Sequence, residues 1–163
     1  MKSYFARLIR HADWANVRVL DALRLTPFPH PRALQLLAHI LSAEHIYHER
    51  MTDKDPWSQD FWPDLSLEQC DALMNDNRLQ YLAFIEGLPE SDLDRLIRYR
   101  NSRGVMFHTP VKELLLHVAL HSAYHRGQIA QATRQGGGEP VNTDFITFVR
   151  EVPEQPASTR TCS

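Results

Sequence analysis

The sequence predicts an all-α protein: a four-helix bundle with a long crossover between the second and third helices and a short C-terminal helical segment. Three observations lead there. Apolar residues recur at three- and four-residue steps in four long stretches, the spacing of one helix face. Proline, glycine and capping residues punctuate the ends of those stretches. The chain has 163 residues, 43% hydrophobic and 23% charged, which is enough for one domain with its own core.

The first helix is expected over residues 3–25, where Phe5, Leu8, Ala12, Ala15, Val19 and Ala22 form one stripe. Ser3 can cap it, and Thr26-Pro27 with Pro29 ends it. Pro31 suits the first turn of a second helix. That helix runs through LQLLAHILSAEHIYHER to Met51, with apolar residues around much of its circumference, so it is buried on more than one side. Residues 52–65 break the pattern. A connection of that length is not needed between adjacent antiparallel helices, so it should cross the bundle. It carries Trp57, Phe61 and Trp62, which could line a substrate entrance, form a dimer contact or pin the loop to one bundle end.

A third helix is expected over 66–87. Ser66 and Gln69 make a capping box, and Gly87 and Pro89 mark the end. Residues 91–108 alternate weakly around Asn101–Gly104 and read as an extended or hairpin-like excursion. The fourth helix is expected over 110–135, capped by Thr109, opened by Pro110 and stopped at Gly136-Gly137-Gly138. Phe145, Phe148 and Val149 anchor a short amphipathic piece. Residues 1–150 form one bundle domain in this reading, and 151–163, ending PEQPASTRTCS, form a disordered tail.

The composition excludes several classes. A net charge of -2 offers no polybasic surface for nucleic acid. No apolar run is long enough to span a bilayer. Arg7, Arg10, His11 and Asp13 interrupt the N-terminal stretch, which therefore lacks a signal-peptide core. Two cysteines, Cys70 and Cys162, fit a reducing, cytoplasmic setting, with Cys70 an inert buried thiol.

Nine histidines stand out. His117, His121 and His125 follow one another at four-residue steps, so they share one face of the fourth helix. Apolar residues surround them, and a buried imidazole row is costly unless each ring has a partner. His39 sits among Leu36, Ile40 and Ala43 in the second helix. Histidines converging from two buried helices suggest a shared divalent cation, for which neutral imidazole is a good ligand. Glu-x-x-His spacing is missing: Tyr47 lies three residues after Glu44 and Leu116 three after Glu113, which argues against a carboxylate-bridged di-iron centre. Ser122 follows His121, so the zinc-protease pattern His-Glu-x-x-His is missing too. His11 and His45 are expected on mixed helix faces, His30 and His108 in connections, and His48 at the surface.

Trp14-Ala15-Asn16, His39-Ile40-Leu41, HSAYHRGQIAQATRQGG at 121–137 and Asp144-Phe145 together resemble the DinB/YfiT-like family of metal-dependent helical bundles. The resemblance covers nearly the whole chain to about residue 150. It implies the long crossover. It also implies a metal, zinc or nickel, held by His39, His121 and His125, with His117 beside the ligands. A homodimer follows from it as well. It implies a small-molecule substrate and thiol-dependent S-transferase chemistry with a low-molecular-weight thiol. The alternatives are a metal-dependent hydrolase and a non-catalytic metal-binding stress-response protein. Three neutral ligands leave a coordination position open, as in catalytic rather than structural zinc sites. No single side chain is singled out as catalytic. Arg126 is expected to meet an acidic substrate or a carboxylate within the bundle, and Gly127 to permit close helix packing.

Overall fold

The computed structural model describes residues 1–26, 30–54 and 59–153. The expectations that fall on Pro27, Pro29, Trp57 and the tail from residue 154, with Cys162, lie outside the described residues. Four long helices are present: α1 (Lys2–Leu25), α2 (Pro31–Met51), α3 (Leu67–Gly87) and α4 (Val111–Gln135), followed by the short α5 (Phe145–Glu151). Between α3 and α4 come a 3-10 turn (Glu90–Asp94) and an antiparallel hairpin of β1 (Leu96–Arg100) and β2 (Met106–Pro110). The excursion expected at 91–108 is therefore a hairpin. The side chain of Asn101 accepts from the amides of Arg103 and Val105 at its turn, and Gly104 takes φ +76°, a conformation that favours glycine.

The helix ends show which capping signals operate. Ser66 Oγ accepts from the Gln69 amide at 3.2 Å and Gln69 Oε1 from the Ser66 amide at 2.8 Å, a complete capping box. Two other expected caps are not used. α1 begins at Lys2, ahead of Ser3, and its first turn is tied down from outside when the terminal ammonium donates to Glu90 Oε1 at 2.7 Å. Thr109 belongs to β2, where its hydroxyl meets that of Tyr99, and Pro110 occupies the N-cap of α4. Strand pairing takes up the residue that a helix cap would have used.

The relative directions of the helices follow from their contacts. α3 runs beside α2 in the same direction, because Asn77 Nδ2 donates to the Leu41 carbonyl and Tyr81 Oη to that of Glu44, while Phe84 meets His48. α4 runs against α2, since His125 faces His39 and His117 faces Tyr47. α1 runs against α3, with Arg24 on Asp71 and Lys2 Nζ on the Glu86 carbonyl. The order is thus up, down, down, up. No tight turn can join two neighbouring parallel helices, so the chain after α2 must travel back along it. It does so: the carbonyl of Asp60 accepts from Ser42 and that of Phe61 from His39. The long connection crosses the bundle, as its length implied.

α2 is buried on more than one side, with Leu37, Ile40, Leu41, Ile46 and Met51 all fully enclosed. Each such side chain stabilises the fold by about 1.5–3 kcal/mol. The core has two apolar clusters. One joins Leu20, Leu36, Leu41, Cys70 and Ile129; the other joins Phe5, Met51, Ile85, Leu115 and Val118. Between them lies a layer of buried polar side chains to which every long helix contributes: Asn16, Glu44, Asn77, Ser122 and Arg126. Burial pushes the Cys70 thiol up to about 11, which leaves it inert at neutral pH.

Two expectations, one about the surface and one about packing, are overturned. His48 is 9% exposed, packed on Tyr81 and Phe84. Its charged sequence neighbours suggested solvent, but α2 has little solvent-facing side. Gly127 does not permit close packing, because a Cβ placed there would meet no atom within 4 Å.

Candidate metal centre

His121 and His125 come from consecutive turns of α4 and His39 from the middle of the opposing α2. The three rings gather with centroids 5.0, 4.6 and 4.4 Å apart, and their potential ligand nitrogens all lie within 4.8 Å of one another. His39 Nε2 and His121 Nε2 are 3.2 Å apart. Two nitrogens about 2.1 Å from one tetrahedral ion would stand roughly 3.4 Å apart, so this spacing suits a shared cation.

The tautomers point the same way. His39 Nδ1 donates to the Phe61 carbonyl at 2.6 Å and His125 Nδ1 to Gln128 Oε1 at 2.9 Å. Each ring has spent its proton outward, so each Nε2 turns a bare lone pair inward. A single proton on His121 could satisfy only one of those lone pairs. A divalent cation would satisfy all three nitrogens. Burial keeps His39 and His121 neutral: it lowers the His39 pKa, with the Phe61 carbonyl opposing and His125 reinforcing. It takes His121 down to about 3, helped by the repulsion of His125, His39 and His117. The donor set therefore fits a borderline divalent metal such as zinc or nickel.

Surrounding groups hold these histidines in place. Trp62, from the crossover, stacks on His39 with centroids 3.7 Å apart and planes 6° from parallel, and Arg32 lies over its indole at 4.9 Å. The residue after each α4 histidine enters the polar layer. Ser122 Oγ donates to Glu44 Oε1 at 2.8 Å. Arg126 Nη1 donates to Asn16 Oδ1 at 3.0 Å, and Asn16 Nδ2 passes the contact on to Glu44 Oε1 at 3.0 Å. Arg126 thus meets a carboxylate indirectly, inside the bundle. Burial raises the Glu44 pKa against the pull of Ser122, Asn16 and Arg126, and brings Arg126 down to about 10, still charged at neutral pH. This layer sets the rotation of α4, and so directs the 121/125 face at His39. His117, one turn earlier, is exposed and rests on Tyr47 outside the cluster.

The centre opens onto a cavity of about 540 Å³ between α2, the crossover and the hairpin, with His39, Trp62, Tyr47, Arg50, Asp60 and Tyr99 in its wall. Reading the sequence missed Glu44 as the acceptor at the centre of the polar layer, Trp62 as the cover of His39, and Arg50. For Glu44 a signal existed: a carboxylate in a helix apolar all round needs a buried partner.

A model of the DinB family matches residues 28–156 of the chain. The chain is also similar to Protein DinB of Bacillus subtilis (strain 168), with 24% identity over 168 residues, 91% of this chain and 95% of that protein.

Proposed function

From a chain that belongs to the DinB family and gathers three inward-facing imidazoles at the mouth of a cavity, we infer a divalent-metal site of His39, His121 and His125 that serves thiol-dependent S-transfer to a small molecule. The observation that carries this is the pair of outward Nδ1–H bonds, to Phe61 and Gln128, which free two Nε2 lone pairs for one point. When bound, zinc or nickel there would supply Lewis acidity able to hold a thiol as thiolate. The protein's own contribution is positional. Trp62 and the Phe61 carbonyl orient His39, Gln128 orients His125, and the crossover closes the centre from one side. Glu44, the nearest carboxylate in sequence on α2, is turned into the polar layer and away from the three histidines.

A hydrolytic reading has one observation in its favour. Asp60 lines the cavity, although its Oδ1 already accepts from the Trp62 amide. We also infer a cytoplasmic homodimer. The exposed row Leu116, Leu120 and Tyr124 on α4 supports the dimer, as an apolar patch of this kind suits a protein contact.

The test is metal analysis of untagged protein, followed by single-turnover assays with a panel of low-molecular-weight thiols and electrophiles. One equivalent of metal is expected in the native chain, near none in His121→Ala/His125→Ala, and an unchanged amount in the exposed His108→Ala. Metal retained by the double variant would overturn the ligand assignment. Ester or amide cleavage without added thiol would favour the hydrolytic reading.

A further inference from the structure

The cavity beside the metal centre holds a second chemical element that the reading above does not use. Arg50, from the last turn of α2, lines it and is 2% exposed. Its guanidinium carbon lies 4.6, 4.8 and 5.4 Å from the ring centres of Tyr99, Tyr47 and Phe61. Arg50 Nη2 donates to the Arg100 carbonyl at 2.9 Å, which ties the hairpin to α2, while Nε has no partner. Among the described residues no carboxylate pairs with it. Aromatic faces compensate a desolvated cation only in part, by about 0.5–2 kcal/mol each, and a buried charge without a counter-ion is costly. Such a group persists where an anion is supplied from outside.

We propose that this cavity is the binding site for an aromatic or apolar-bodied monocarboxylate, its anionic end at Arg50 and its body directed along the aromatic wall toward His39. The wall favours a flat or apolar body, since Tyr47, Phe61, Trp62, Tyr99 and Phe107 supply five of its eleven lining residues. A single charge is favoured over a phosphate dianion for two reasons. Arg50 is the only Lys or Arg among the described residues of the lining, and Asp60 in the same wall would repel added negative charge. Arginine suits the role because its planar edge meets a carboxylate in a fixed geometry while its face stays on the rings. This names the substrate class of the site proposed above and rests on that reading for its His39 end only.

The experiment is calorimetric titration with cinnamate, 3-phenylpropionate, their uncharged amides and phenylphosphate. It uses native protein, Arg50→Met, Arg50→Lys and His121→Ala/His125→Ala, with metal content measured in each. Native protein should bind the acids at least tenfold more tightly than the amides and more tightly than phenylphosphate. Arg50→Met should lose that preference with its metal content unchanged, and Arg50→Lys should keep part of it. The double histidine variant should retain the acid preference, which separates this proposal from the fate of the metal site. Should Arg50→Met fail to fold, the Arg50 Nε–H resonance of the native protein, assigned by its loss in Arg50→Lys, should shift with cinnamate and not with cinnamamide. Equal binding of acids and amides, no binding of any acid, an unmoved Nε–H resonance, or an acid preference that survives Arg50→Met would each overturn it.

Discussion

Replacing Glu44 by glutamine tests the polar layer at the level of the bundle and of the centre together. The substitution keeps size and one acceptor oxygen for Ser122, but removes the only negative charge that Arg126 senses across Asn16. Arg126 is 3% exposed, and its Nε and Nη2 already lack partners. Among the described residues Glu44 is the carboxylate whose charge acts on it. Asn16 stands between the two groups, so the expected cost is about 1–3 kcal/mol, below the ~3–5 kcal/mol of a touching buried ion pair but still a sizeable share of the ~5–15 kcal/mol that stabilises a typical domain. Arg126→Met should cost less, because Glu44, its pKa already raised by burial, can accept a proton. The double variant Glu44→Gln/Arg126→Met should be more stable than the sum of the single losses by about 1.5–3 kcal/mol, the coupling expected within one network. Urea unfolding of the metal-free proteins at pH 7 reads all three. Losses that add to within about 0.5 kcal/mol, the tolerance for independent sites, would refute the account. So would a single loss below about 1 kcal/mol for Glu44→Gln.

Three further outcomes follow. Gln128→Ala should weaken zinc binding about 10-fold, the low end for a group that orients a metal-bound histidine, and Gln128→Glu should restore it; competition with a chromophoric chelator gives both values. Gly127→Ala should stabilise the protein by about 0.4–1 kcal/mol, because the added methyl meets open space and the unfolded chain loses freedom; an unchanged or lower Tm would show that α4 needs the glycine for another reason. His48 is held neutral by burial, its pKa lowered, with His45 and Lys54 adding repulsion. The folded state then binds fewer protons than the unfolded one, so its contribution to stability is full above about pH 6.5 and is lost as pH falls below that value. His48→Phe should flatten the fall in unfolding free energy of the metal-free protein between pH 6.5 and 5.5 by up to about 1.4 kcal/mol per pH unit; a slope equal to that of the native chain would contradict it.

Much of the architecture was legible in the sequence because the signals are local. Stripe spacing and punctuation place each helix boundary within one residue of its position in the structure. The three-histidine cluster was legible for a different reason, since imidazoles in apolar helices demand a partner. Spacing alone could not choose between His117/His121 and His121/His125, which are equally four apart. The choice depends on how α4 is rotated, and that is set by Ser122 and Arg126 meeting Glu44 and Asn16 from other helices. His48 was misplaced because Glu49 and Arg50 adjoin it in sequence but point elsewhere, each step along a helix turning by about 100°. Arg50 itself reaches the cavity only because the crossover and the hairpin fold over it, and no periodicity encodes the path of either.

The up, down, down, up order also has a consequence during synthesis. His39 and His121 are separated by 82 positions. A ribosome adding roughly 5–20 residues per second takes roughly 4–16 s to cover that interval. For all but the first twelve residues of that interval α2 is complete, apolar on nearly every side, and without the helix that covers its histidine. α3 can settle beside it early, because the crossover delivers α3 directly to its neighbour. α4 emerges last of the four and completes the three-histidine cluster as it closes over the core. A nascent chain that stalls before His121 carries one imidazole of the three, so loading of the proposed site would distinguish molecules that have finished this part of α4 from those that have not.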